Sequence, residues 1–220
     1  MIVNINKPIG MTSHDVVNEV RKITGEKRVG HAGTLDPFAT GVLVIGISRE
    51  STKQLHELTN SAEKEYIAKV EFGKKSTTGD PEGTIREIAI EKAHSLTKET
   101  LSNILPSFTG DIQQTPPIYS AIKVEGKPAY SRARKGETVE LPERTIHIYN
   151  IEVIEFSAPF ATLQITSSSG TYIRSLAQDI GEKLGLGAYL VELERIRVGE
   201  HKIEDSISLA DLKKQTPIPQ

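Results

Sequence analysis

Four stretches of this chain alternate apolar and polar residues with a period of two, and they set its class of fold. Lys64–Phe72 puts Tyr66, Ala68, Val70 and Phe72 on one face, as a half-buried strand does. Ile118–Val124, Thr145–Phe156 and Ala161–Ser167 repeat the pattern. Ile2–Ile5 and Tyr189–Val198 read as further strands, Gly41–Ile47 as a fully buried one, and Thr84–Ile90 as a strand after the turn Asp80-Pro81-Glu82-Gly83. Helical segments run between them. Ser13 opens one, with Val16, Val17, Val20 and Ile23 on one face and Gly25 as the stop. Ser48–Leu58, Thr97–Ser107, Tyr172–Leu184 and Leu209–Lys213 are the others, and Gly30–Thr40 reads as a loop. Several neighbouring strands are close enough in sequence to pair antiparallel. The expectation is therefore an α+β fold on a largely antiparallel sheet, and not a doubly wound dinucleotide-binding unit.

Composition narrows the chemistry. No cysteine is present among 220 residues, which removes disulfides, thiolate metal sites and thiol nucleophiles together. Net charge is −2, so a nucleic-acid partner would need a local basic patch. The longest apolar run, Val42–Ile47, is too short to cross a bilayer, and the N-terminus lacks the pattern of a signal peptide. A cytoplasmic protein without a membrane partner is expected. The glycine-rich phosphate loop, dinucleotide fingerprint, zinc-binding His spacing and nucleophile elbow are all missing. No cofactor and no metal are expected.

The chemistry-bearing features lie elsewhere. Gly30-His31-Ala32-Gly33-Thr34-Leu35-Asp36-Pro37-Phe38-Ala39-Thr40-Gly41 places one carboxylate in a loop between a helix and a buried strand. Pro37 fixes its own φ and restricts Asp36 towards extended geometry, so the loop can present that carboxylate rigidly. An Asp that merely caps a turn would look the same. Gly170-Thr171-Tyr172-Ile173-Arg174 opens a helix, and Arg174 is placed to pair with a carboxylate or to sit on the surface. Residues 123–135 hold Lys123, Lys127, Arg132, Arg134 and Lys135 against Glu125, a local charge of +4. Tyr119 precedes that run and Tyr130 lies within it, a combination that suits RNA phosphates and exposed bases, or a solvated charged surface. Tyr66, in Lys64-Glu65-Tyr66, is a core or cleft-facing aromatic.

Taken together these segments resemble the TruB family of tRNA pseudouridine-55 synthases. The likeness runs from Asn6-Lys7-Pro8-Ile9-Gly10-Met11-Thr12-Ser13 through GHAGTLDPFATGVL, Lys64-Glu65-Tyr66, Thr78-x-Asp80-x-x-Gly83, QTPPIYSAIK and GTYIRSL to about Gly199. It implies a pseudouridine-synthase-like mixed sheet flanked by helices. It further implies one catalytic domain over residues 1–220, with a thumb-like RNA-binding loop inserted at about 112–144. Asp36 matches the family's catalytic aspartate. Tyr66 matches the tyrosine stacked on the target base, and Arg174 the arginine paired with the catalytic carboxylate. His31 matches the histidine that supports the T-loop once the base has flipped. Asp80, Lys123, Tyr130 and Arg134 fall in segments that contact RNA or shape the thumb. The implied activity is isomerisation of uridine to pseudouridine at position 55 of the tRNA T-loop, with the T-arm stem-loop as partner. A monomer without an obligatory protein partner is expected. The alternative is a non-catalytic tRNA-binding or tRNA-folding protein. Asn6, Ser76 and Ser168 depart from common family residues. About 20 residues follow Gly199, which suggests that the PUA RNA-binding domain of many relatives is lacking.

Overall fold

The computed structural model describes residues 1–120, 122–124, 126–133, 137 and 141–216, without the side chains of residues 56–58, 123, 124, 127, 128, 130 and 133. In chain order the elements of the first half are β1 (Ile2–Lys7), α1 (Ser13–Thr24), β2 (Val29–Ala32), β3 (Thr40–Ile47), α2 (Arg49–Asn60), β4 (Lys64–Phe72), β5 (Lys74–Ser76), β6 (Ile85–Glu87), α3 (Ile90–His94) and α4 (Lys98–Ile104). The second half contributes β7 (Gly110–Gln114), β8 (Lys123–Val124), β9 (Lys127–Pro128), α5 (Ala129–Ala133), β10 (Arg144–Ser157), β11 (Phe160–Ser167), α6 (Ile173–Lys183), β12 (Ala188–Val198), β13 (His201–Lys202) and α7 (Leu209–Gln215). The chain gathers into two compact units. One holds Met1–Ile67, Thr166–Ser169 and Leu193–Gln220; the other holds Ala68–Ile165 and Gly170–Glu192. The fold is α+β, and no described helix is long and apolar enough to cross a membrane.

In the first unit β3 is the central strand. It pairs antiparallel with β1, from Ile2 opposite Gly46 to Lys7 opposite Gly41, and with β2, from Val29 opposite Ile47 to Ala32 opposite Val44. Its start pairs in parallel with β12, Arg195 opposite Gly41. Strand β3 is buried on both faces because its residues feed two apolar clusters. Leu43, Ile45 and Ile47 join Ile5, Val16, Val17, Val20 and Leu212, whereas Val42 and Val44 join Ala32, Leu55 and Val198. Full burial of each such side chain contributes about 1.5–3 kcal/mol. Helix α1 presents Val16, Val17 and Val20 to the first cluster. Thr12 and Asp15 close a capping box at its N-terminus, and Gly25 ends it in the left-handed conformation.

In the second unit β10 pairs antiparallel with β7, from Arg144 opposite Gln114 to Ile148 opposite Gly110, and β5 with β6. Phe72, Leu101, Ile148, Leu163, Ile165, Leu176 and Ile180 are among its fully buried side chains. The Tyr189 hydroxyl donates to Glu71 at 2.6 Å, and Lys74 lies 2.7 Å from the same carboxylate. Burial, followed by that contact, pushes the Tyr189 phenol up to about 12.

Several elements differ from the sequence reading. Val29–Ala32 forms an edge strand on β3 inside the expected loop. The strand expected at Thr84–Ile90 stops at Glu87, and Ile90 opens α3. The helix expected at Thr97–Ser107 becomes a 3₁₀ turn over Leu105–Phe108, where Pro106 removes an amide donor. Among the described residues of Ile118–Val124, strand is confined to Lys123–Val124. Ahead of it stand Pro116 and Pro117, and the Thr115 and Tyr119 carbonyls accept from Ser175 and Arg174, so they serve tertiary contacts in place of a ladder. Gly110–Gln114 is a strand that its polar sequence concealed.

Candidate active site

The first unit builds a rigid bed for Asp36. Its two neighbours are held separately. Before it, the Ser13 hydroxyl accepts from the Leu35 amide at 2.8 Å and donates to the Leu35 carbonyl at 3.0 Å. After it, the Pro37 carbonyl accepts from the Gly10 amide at 2.8 Å and from Lys7 Nζ at 3.2 Å. Lys7 is fully buried and also donates to the carbonyls of Pro8 and Met11, at 2.9 and 2.7 Å. The Ala39 amide closes a turn on the Asp36 carbonyl at 3.1 Å. The segment Lys7–Ser13 is therefore the cradle of Leu35-Asp36-Pro37. Asp36 itself is half-buried.

The partners of Asp36 in this unit come from β4 and β12. Tyr66 is buried, and its hydroxyl interacts with the Arg195 side chain. Burial first, with the Asp36 charge as a lesser cause, pushes the Tyr66 phenol above its ordinary range, while Arg195 opposes both. Arg195 is 1% exposed and is coupled electrostatically to Tyr66 and Asp36. Its Nε donates to the Val42 carbonyl at 2.8 Å and its Nη2 to the Gly33 carbonyl at 2.9 Å. Lys64 is buried beside it, and desolvation, then the Arg195 charge, lowers its ammonium to about 8. Lys64 Nζ donates to Ser169 Oγ at 2.5 Å and to the carbonyls of Thr59 and Ala62, both at 3.4 Å. Burial, then Arg195 and His14, keeps the His31 imidazole below its ordinary value, hence neutral at pH 7. His31 Nδ1 is buried with no hydrogen-bond partner among the described residues.

The second unit holds Asp80 and Arg174. Their side chains are each 4% exposed, with Arg174 Nη1 3.4 Å from Asp80 Oδ2. Arg174 also donates to the carbonyls of Thr78 and Tyr119, at 2.8 and 2.9 Å. Thr78 Oγ1 and the Glu82 amide donate to Asp80 Oδ1 at 2.5 and 3.0 Å. Gln114 fixes the entry to α6, exchanging hydrogen bonds with the Tyr172 amide and carbonyl at 2.8 and 3.1 Å. Arg174 thus ties the 78–80 turn to the 115–120 segment.

Within its own unit Arg174 meets the Asp80 carboxylate, and within the other unit Arg195 acts electrostatically on Asp36. Asp36, Tyr66 and His31 fall together in the first unit, whereas Asp80 and Arg174 fall in the second. Lys123 lies in β8 and Tyr130 in α5, but their side chains lie outside the described part, as does Arg134 altogether. Arg195 escaped the sequence reading because Glu192, Glu194 and Arg197 surround it and suggest an exposed strand end. The available signal was parity: Arg195 follows Leu193 on the buried face of β12, as Lys64 precedes Tyr66 on that of β4. Among the described residues no three His, Asp or Glu side chains are grouped to hold a metal ion.

Residues 21–173 match the model of the TruB family pseudouridylate synthase N-terminal domain, and residues 174–217 that of a tRNA pseudouridylate synthase B C-terminal domain. The chain is 46% identical over 214 residues to a Clostridium tetani protein named tRNA pseudouridine synthase B, covering 97% of this chain and 73% of that one. It is 43% identical over 218 residues to the protein of that name from Corynebacterium diphtheriae, covering 97% and 72%. Among solved structures it is similar to a chain of a Cbf5-Nop10-Gar1 complex, with a TM-score of 0.73 and 31% identity over 97% of this chain. A chain of the archaeal box H/ACA sRNP Nop10-Cbf5 complex gives a TM-score of 0.70 and 27% identity, again over 97%. This chain spans about half the length of those two solved chains, 53% and 52%. With 153 of its residues inside one family model and an Asp36 loop braced on both sides, the chain belongs to the TruB family of pseudouridylate synthases.

Proposed function

We propose that this chain converts uridine to pseudouridine at position 55 in the T-loop of tRNA, with Asp36 as the catalytic carboxylate. The observation that carries the reading is the double brace on Asp36, Ser13 on Leu35 and Lys7 on Pro37, with Tyr66 and Arg195 in the field of the carboxylate. A turn-capping Asp needs no such bed. The reaction detaches uracil from the sugar C1′ through N1, turns it and reattaches it through C5, so the atoms of the nucleotide are conserved. A carboxylate serves it either by attacking the nucleotide or by removing a sugar proton. A paired uridine is out of reach of any side chain, so the base is flipped out at a cost of a few kcal/mol. Tyr66 stacks on the flipped uracil, and neutral His31 fills the place it leaves. Asp80 and Arg174 hold the turn and segment that shape the RNA-binding side. Lys123, Tyr130 and Arg134 belong to the basic run that meets phosphates, where salt weakens binding. The names of the Clostridium and Corynebacterium relatives support tRNA as the substrate.

The test is nucleoside analysis of a T-arm stem-loop after incubation with the purified chain. Pseudouridine at position 55 and nowhere else is the expected product. Tight binding with no pseudouridine would leave a tRNA-binding protein and overturn the catalytic assignment.

A further inference from the structure

Asp36 sits in the span from Gly33 to Gly41, and a single residue holds both ends of that span. Arg195 donates to the Gly33 carbonyl at 2.9 Å on one side and to the Val42 carbonyl at 2.8 Å on the other. Its backbone pairs with Gly41, where φ is +100° and an added Cβ would overlap the Arg195 carbonyl. At Gly33, where φ is +73°, a Cβ would lie 3.3 Å from Arg195 Nη1 and 3.3 Å from Lys64 Cε, a tighter contact than most side chains make. Gly41 is thus required by the approach of Arg195 as well as by its backbone conformation, and Gly33 by its conformation, with the Arg195 guanidinium packed on it.

A guanidinium that is 1% exposed carries a large desolvation cost. An apolar side chain of similar length would fill the space without it. What the guanidinium adds is direction: planar donors on two carbonyls, a contact to the Tyr66 hydroxyl and a positive charge near Asp36. The ionisable groups coupled to it are Tyr66 and Lys64 on β4, His31 on β2 and Asp36 itself. We infer that Arg195 is a positioning residue for the proposed reaction, closing the base of the Asp36 loop and fixing the Tyr66 hydroxyl against it. It does not touch the reacting atoms; it sets where the two groups that meet the nucleotide stand. This inference rests on the catalytic reading of Asp36.

The experiment compares wild type with R195K, R195Q, Y66F and the R195K/Y66F double variant, by steady-state kinetics on a T-arm stem-loop and by carbon-13 titration of the Asp36 carboxyl. R195K keeps the charge and loses the planar fork. Its kcat is expected to fall about 10–100-fold, the scale of a misplaced catalytic group, with KM within about twofold of wild type. R195Q removes the charge, so its Asp36 titration and the acid limb of its kcat profile both move to higher pH. The double variant loses less than the product of the single losses, because the two side chains act as one unit. Wild-type kcat in R195K and an unmoved Asp36 titration in R195Q would overturn the inference. So would matched losses of kcat and thermal stability with KM raised and the titration unmoved. If wild type itself makes no pseudouridine, the catalytic reading fails, and the Asp36 titration still decides whether Arg195 governs that carboxylate.

Discussion

The Ser13 hydroxyl holds both the amide and the carbonyl of Leu35, at 2.8 and 3.0 Å, although 22 positions separate the two residues. Ser13 is 2% exposed, so no solvent competes for those groups. Through this pair the start of α1 determines where the residue before Asp36 lies. S13A strands a buried N–H and a buried C=O, at a cost of about 1–3 kcal/mol. Urea unfolding is expected to register that loss. Single-turnover rates of pseudouridine formation should fall about tenfold or more, with RNA affinity nearly unchanged. A variant as stable and as fast as wild type would show that Leu35 is held by other means.

Asp80 and Arg174 form a buried ion pair, with each side chain 4% exposed. D80A removes the Asp80 carboxylate from beside the buried Arg174 charge, a change that costs about 3–5 kcal/mol for a buried pair. R174M/D80A removes that charge as well and should recover part of the loss in urea unfolding. Equal losses in the single and double variants would mean that D80A leaves no uncompensated buried charge.

Much of this architecture was legible in the residues. The periodicity of Val16, Val17 and Val20, the stop at Gly25 and the buried run of β3 follow from local preference, and they appear where the pattern put them. Asp36, Tyr66 and His31 were found through motifs, and the structure gathers them in one unit. What could not be read was partner choice. A charged residue is not labelled by its sequence neighbours with the group it meets, so neither the contact of Arg174 with Asp80 nor the part played by Arg195, which follows Glu192 and Glu194, was legible. Gln114 was hidden in the same way: a polar residue whose partner, Tyr172, lies 58 positions on. Tertiary demand also outweighed local pattern at Ile118–Val124, where the Tyr119 carbonyl, and that of Thr115 just before, bind Arg174 and Ser175.

Lys64 ties stability to pH. Burial holds its ammonium at about 8, against 10.5 for an ordinary lysine. Between those two values the unfolded chain retains a proton that the folded chain has released. The contribution of Lys64 to stability therefore rises with pH across that window, by on the order of 3 kcal/mol in total. The difference in unfolding free energy between wild type and K64M, followed by urea titration from pH 7.5 to 10.5, is expected to shift towards wild type as pH rises. A constant difference would place the Lys64 ammonium in water.

The most direct measurement concerns Asp36 itself. D36N retains the shape of the side chain and removes its charge. In a single-turnover assay with a T-arm stem-loop in which all RNA is bound, the account predicts no detectable pseudouridine from D36N and wild-type binding of the same RNA. Conversion by D36N at the wild-type rate would contradict it.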